Sequence, residues 1–346
     1  MIRTSPVGFC TARTFTPMVT ACGAIALCLA GLAGPAAAQT VLKVGHDQPD
    51  RSTHHQAALK WKEIVEARSG GKLQVRLFPS MTLGSGTQMV EQTQASALEV
   101  SILPTAWVAP LAPSVQVLDL SFLFPSREVL YRVIDGPAGV EILRPLNKVN
   151  IEGVTFWESG FKQFTGHFPI REPKDYVGHK IRTMPAQVIQ EQFKAFGATP
   201  VTLDFKELYS ALQQKVVDGQ ENPIATIALM RFFEVQKHLT LSDHGFIAYA
   251  FMFNKPFLDK QPADLRKILI DSAREAGSYQ RELIVKSEAE HLDTFRKAGL
   301  EIVRLTPAQR ASFEQASKPV YDWYTAKYGA DTLNLIRKEV GAVSSK

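Results

Sequence analysis

The segment Gly178–Ala186, GHKIRTMPA, sets a guanidinium at the end of an extended run. Ile181 and Thr183 face one way along it, Lys180 and Arg182 the other, and Pro185 stops the strand just past Arg182. A parallel strand is covered on both faces, so an arginine near its end needs a partner. In open α/β sheets ligands sit beyond the carboxyl ends of the strands, and guanidinium pairs bidentately with a carboxylate. Arg182 therefore suits either an anionic ligand or an internal salt bridge, and the strand pattern leaves both open. The second segment is DGQENP, Asp218–Pro223. It follows an apparent helix, with Asp204 and Glu207 at its start and Phe205, Leu208, Leu212 and Val216 on one face. Gly219 suits a C-cap of that helix, and Asn222 before Pro223 suits an N-cap of the next, IATIALMRFF. Asn222 is then a helix cap beside solvated Gln220 and Glu221, or an amide offered to a cleft.

Other chemistries are poorly supported. His46, His54 and His55 are clustered, but adjacent histidines diverge on a helix and do not clamp one ion. No H-E-x-x-H, acidic calcium loop or G-x-S-x-G occurs, and LGSGT at Leu83–Thr87 lacks the lysine of a phosphate loop. No metal site and no cofactor is expected. Trp107, Trp157, Phe161, Phe164 and Phe205 could line a pocket or fill a core.

The elements that position these residues alternate. TVLKVGHD is a strand, a helix capped by Ser52 or Thr53 runs to Gly70-Gly71, and KLQVRLFP is a second strand. A helix from LGSGTQMVEQTQASA, a strand LEVSILP, an irregular 104–125 and a helix after Ser126 follow. IEGVTFWES opens a second strand-and-helix block, Pro262 to Gly299 is one long helix with Gly277 as a weak point or bend, and a final helix starts at Thr306-Pro307. The pattern is α/β on a largely parallel sheet.

The outer limits agree. The chain has 346 residues, 45% hydrophobic and 21% charged, the balance of a globular protein of about two domains. Residues 1–38 carry only Arg3 and Arg13 as charges, then the apolar run Met18–Gly34 and Ala36-Ala37-Ala38, the pattern of a cleaved secretory signal peptide. All three cysteines, Cys10, Cys22 and Cys28, fall there, so disulfides and thiolate chemistry are excluded after cleavage. Without Arg3 and Arg13, 37 basic residues face 34 acidic ones, too even for a nucleic-acid partner.

Taken together, GHKIRTMPA, FGATPVTLDFKELYSALQQKVVDGQENP, WESGFKQFTGHFPIREPKDYVGHK, SGGKLQVRLFPSMTLG and the GHD…HHQAALKW start resemble the solute-binding proteins of TRAP (tripartite ATP-independent periplasmic) transporters. The resemblance implies a two-lobed periplasmic binding protein fold with hinge strands and a long lobe-spanning helix. Lobe I would comprise 39–159 plus about 248–287, and lobe II 160–247 plus about 288–346. It implies a non-enzymatic periplasmic protein that closes over a small organic acid and hands it to membrane permease subunits. Carried over by position, Arg182 matches the arginine that pairs with the ligand carboxylate and Asn222 its amide partner. Phe205 matches a pocket wall, Ala186 a main-chain contact, and Asp47 with the 104–107 segment, Thr105 and Trp107 included, first-lobe contacts. Lys162 stands where several relatives have a second ligand-touching arginine, and Pro104 where sialic-acid-binding relatives have a polar residue. A ligand-presenting co-receptor for a sensor kinase, or a secreted hydrolase, are the alternatives.

Overall fold

The computed structural model describes residues 39–344; the leader expected over 1–38 lies outside them. Among the described residues nine strands form one sheet: β1 (Thr40–His46), β2 (Leu73–Phe78), β3 (Val100–Pro104), β4 (Ile151–Gly166), β5 (Lys180–Thr183), β6 (Thr199–Thr202), β7 (Gly219–Pro223), β8 (His238–Asn254) and β9 (Glu301–Arg304). Their order is β2-β1-β3-β8-β4-β7-β5-β6, with β9 on β8. The sheet is mixed rather than largely parallel. The β1–β2, β1–β3, β5–β6, β5–β7 and β8–β9 pairs are parallel, while β8 and β4 run antiparallel to each other, and to β3 and β7 respectively. Side-chain caps start several helices. The Ser52 side chain accepts from the His55 N–H, and Ser85 and Thr306 form capping boxes with Gln88 and Gln309.

Two long strands divide the molecule into lobes. β8 lies beside β3 near Tyr249–Phe253 and beside β9 near His238–Leu241, and β4 follows it throughout. The β4–β8 ladder shifts register at Glu158/Gly160 and again at Lys162/Phe164, where the pair passes from one group of strands to the other. Each group has its own aromatic core. Trp61, Trp157, Phe251 and Phe253 pack together in the first. Phe164, Tyr176, Phe193, Phe196 and Phe313 pack in the second. The helix Ala263–Lys297 touches both: the Trp61 indole N–H donates to the Leu269 carbonyl, and Phe295 lies 5.2 Å from the Phe233 ring.

That helix runs unbroken through Gly277. Glycine stands there because the Trp157 indole lies on the helix backbone; an added Cβ would come within 2.8 Å of its ring. The indole cannot shift freely, since its N–H donates to the Ala273 carbonyl at 2.9 Å. Alanine gains about 1 kcal/mol of helix propensity, but overpacking costs about 1–3 kcal/mol and the indole bond about 1 more. Gly277→Ala is expected to lower stability in urea denaturation despite its better helix former. One turn on, the Gln280 side chain accepts from the Glu158 N–H and donates to its carbonyl, taking the place of a neighbouring strand.

Two further expectations change, and one strand is new. Residues 104–125 are not irregular: Thr105–Val108 is a short helix and Pro113–Asp119 a 3-10 helix. β8 was not legible, because a strand covered on both faces shows no alternation. DGQENP is not a helix junction. The preceding helix is only Leu208–Gln213, Val216 is exposed, and Gly219–Pro223 is a buried strand. Gly219 is needed because an added Cβ would meet the Thr165 carbonyl oxygen of β4 at 2.5 Å. Asn222 caps nothing; the next helix, Ile224–Leu229, begins after Pro223 with no side-chain cap. Gln220 and Glu221 are buried, not solvated.

Candidate ligand-binding site

Arg182 occupies the third position of β5, between β6 and β7, and is 3% exposed. Its Nε–H donates to the Leu203 carbonyl at 3.1 Å, and its guanidinium carbon lies 5.9 Å from the Phe205 ring centroid. Nη2 is buried and has no hydrogen-bond partner. Among the described residues no carboxylate lies within ion-pair distance of it. Burial lowers the guanidinium to about 10, against the opposing pull of Asp204, Glu221, Asp47 and Tyr249. Arg182 therefore stays charged at neutral pH, enclosed, with a free donor.

Facing it electrostatically is the carboxyl end of β1. Asp47 is buried, and burial raises it to about 7, with Arg182 among the charges opposing the rise. The Tyr249 hydroxyl from β8 donates to Asp47 at 3.0 Å and accepts from Gln48 Nε2 at 2.7 Å. His54 packs on the Tyr249 ring at 4.2 Å. Gln48 Oε1 and His54 Nε2 are buried and unpartnered.

The other expected residues divide. Phe205 is buried and borders Arg182. Ala186 is fully buried and precedes the helix Gln187–Ala195, whose Val188 N–H already donates to Gln116. Thr105 and Trp107 follow β3 and are buried, with the Trp107 ring pressed on Gly86. Asn222 lies in β7 opposite Gln163, and its amide donates to Gln220. Lys162 differs most. It is fully buried, and its ammonium holds Glu221 Oε1 at 2.6 Å. Glu221 is held further by His244 Nε2 at 2.6 Å and Gln192 Nε2 at 3.1 Å. Burial pushes Glu221 up, but Lys162 and His244 outweigh it and bring it down to about 2. The Lys162 charge is thereby committed within the protein. The sequence pattern does not mark Gln48, Tyr249 and Glu221: Tyr249 lies in β8, which shows no alternation, and Glu221 lies in a buried strand with the local composition of a turn.

His46 and His54 are lowered to about 3, chiefly by burial, and His46 Nε2 lies 3.0 Å from His55 Nδ1. Among the described residues no group of His, Asp and Glu is disposed to hold a metal ion. The lowered histidines have a stability consequence. Both stay neutral in the folded chain while the unfolded chain protonates below about 6.5. Their effect therefore removes stability as pH falls from 6.5 toward 3. Asp47 acts oppositely, removing stability as pH rises from 3.8 to about 7. His54→Gln should reduce the loss in urea stability between pH 7 and 5 by about 1–2 kcal/mol.

Two surface depressions, of about 470 and 850 Å3, lie elsewhere. The first runs along the unpaired edge of β4 beside Arg281, the second beside Arg127 and Phe161. Their central cations are already paired, Arg281 with Asp135 and Arg127 with Glu288. No helix among the described residues is long and apolar enough to cross a membrane.

Residues 44–327 match the family described as bacterial extracellular solute-binding protein, family 7. The C4-dicarboxylate-binding periplasmic protein DctP of Rhodobacter capsulatus is 34% identical over 318 residues, 91% of this chain and 95% of its own. Among solved structures, a TRAP periplasmic solute-binding protein of Sulfurospirillum deleyianum with bound succinate is 31% identical, covers 87% of this chain and 98% of its own, and superposes with a TM-score of 0.81. The sugar acid binding protein of Advenella mimigardefordensis in complex with galactonate is 30% identical, covers 88% and 98%, and gives 0.85. With two lobes joined by β4 and β8 and a match over most of its length, this chain belongs to the TRAP-type family 7 of bacterial extracellular solute-binding proteins.

Proposed function

We propose that this protein captures a small organic carboxylate in the periplasm, closes two lobes over it, and delivers it to the permease of a TRAP transporter. The observation that carries the reading is Arg182, a buried guanidinium with an unpartnered Nη2 and, among the described residues, no carboxylate at ion-pair distance. A carboxylate supplies what that group lacks, and its pairing strengthens once closure excludes water. The relatives with succinate and galactonate bind acids of this kind. In this reading lobe I comprises 39–159 plus about 248–287 and lobe II 160–247 plus about 288–346. The register shift at Glu158/Gly160 supports that boundary, and β4 and β8 are the hinge. Asp47, Gln48 and Tyr249 then face Arg182, Asn222, Phe205 and Ala186 across the cleft. Residues 1–38 are a leader removed on export.

The chain is read as a binding protein and not an enzyme. Ser242, His244 and Glu221 are linked in the order of a nucleophile, base and acid, at 2.7 and 2.6 Å. All three are buried, His244 stacks on Phe164 at 3.7 Å, and Glu221 is neutralised by Lys162. The arrangement supports the second core and has no access for a substrate.

The test is a comparison of small acids with their methyl esters in thermal-shift titrations, together with mass spectrometry of any molecule released from the purified protein on mild denaturation. A carboxylic acid is expected among the released molecules, and esters are expected to give no shift. Equal shifts from ester and acid would sink the reading.

A further inference from the structure

We infer that the ligand carries a single carboxylate together with hydroxyl groups, and that Asp47, Tyr249 and Gln48 read its hydroxylated end while Lys162 takes no part. The inference rests on the proposed docking of a carboxylate on Arg182.

Uncommitted positive charge decides between one carboxylate and two. Among the described residues Arg182 is the buried cation with an unpartnered donor, and the charges acting on it are Asp204, Glu221 and Asp47. Lys162 is the other buried cation at the junction of the lobes, and Glu221 holds it at 2.6 Å. Three further bonds fix that pair in place: His244 and Gln192 hold the second Glu221 oxygen, and Ser242 holds His244. A second ligand carboxylate would have to draw Lys162 away from Glu221, leaving that glutamate buried and short of its cation, or lie against Asp47. His46 and His54 cannot serve instead, since burial keeps both neutral at pH 7. A dianion would thus enter an enclosed site that offers one positive charge.

Hydrogen-bonding capacity indicates what the rest of the ligand carries. On the β1 side the side chains are rich in acceptors: the Asp47 carboxyl, and the unpartnered Gln48 Oε1. His54 Nε2, buried and unpartnered beside the Tyr249 ring, accepts or donates according to its tautomer. An alkyl chain would leave these atoms unsatisfied, and a carboxylate has no proton to give them. A hydroxyl donates to the acceptors, and with His54 Nε2 it donates or accepts as the tautomer requires. The Tyr249 hydroxyl joins the group, held between Asp47 and Gln48 at 3.0 and 2.7 Å. A site built to hydrogen-bond a hydroxyl discriminates strongly against analogues that lack it.

Calorimetric titration of the purified protein at pH 7.5 with matched acids tests this. The probes are D-erythronate, succinate and butyrate at four carbons, and D-gluconate, adipate and hexanoate at six. At one chain length or the other, the hydroxylated monocarboxylate is expected to bind at least tenfold more tightly than both of its counterparts. Asp47→Asn is expected to cut the preference for hydroxylated over plain acid at least fivefold and to narrow the gap to the dicarboxylate. Tyr249→Phe keeps the ring against His54 and provides the same comparison if Asp47→Asn does not fold. A dicarboxylate that binds more tightly than its hydroxylated match overturns the inference while leaving Arg182 as the carboxylate dock. So does a preference unchanged in the folded variant. Binding by none of the six acids overturns the docking itself, and this inference with it.

Discussion

Arg182→Ala is expected to weaken ligand binding by about 100-fold or more. Truncating one side of a buried, hydrogen-bonded charge pair costs about 2–5 kcal/mol, or about 30- to 5,000-fold in Kd. Arg182→Lys keeps the charge but loses the planar fork, and about tenfold is expected to be lost. Phe205→Ala removes a ring 5.9 Å from the guanidinium and a packing surface, and a smaller loss is expected. The same arginine has the opposite effect on the empty protein. A buried cation with an unpartnered Nη2 is a cost to folding, so Arg182→Met, which fills most of the space, should raise the Tm of the ligand-free chain. Calorimetry and thermal melts of the two variants check both halves. Unchanged affinity in Arg182→Ala would remove Arg182 from the site, whatever the melts give.

The second large effect is on stability. Glu221→Ala leaves Lys162 fully buried without its carboxylate and deprives His244 and Gln192 of an acceptor. Removing one partner of a buried ion pair costs about 3–5 kcal/mol. The double variant Lys162→Met/Glu221→Gln removes both charges and should recover most of that loss, because the pair itself contributes little net stability. The pH dependence has a definite sign. Glu221 is lowered to about 2 in the folded chain, so its contribution is present above its unfolded value of 4.5 and is lost as pH falls from 4.5 toward 2. Urea denaturation at pH 7 measures the variants, and denaturation between pH 5 and 2.5 measures the linkage. Equal stability of Glu221→Ala and the double variant would mean that Lys162 finds another partner or reaches water.

These two residues also differ in how far their roles could be seen in the chain alone. Arg182 sits in a segment whose alternation and terminal proline mark a strand end, and β5 forms there. What the alternation left open was its partner. Glu221 is the reverse case. A glycine, an amide and a proline near a helix end carry the local marks of a turn, and only the pairing of β7 with β4 makes Glu221 a buried counter-ion.

By itself, the order of residues determined what nearest neighbours control. Ser52, Ser85, Ser126 and Thr306 cap helices because a hydroxyl reaches an N–H three residues on, and the short strands of β1, β2 and β5 follow from their period of two. Family membership was also legible, from motifs spread over most of the chain. The tertiary structure alone decided the continuation of β4 past Ser159, the long strand β8, the burial of DGQENP, the reason for Gly277, and which of two cations remains free. Each depends on contacts between residues tens to hundreds of positions apart, such as Lys162 with Glu221 or Tyr249 with Asp47. Hydrogen bonding and burial set the environment of a side chain, and that environment exists only after the distant segments have met.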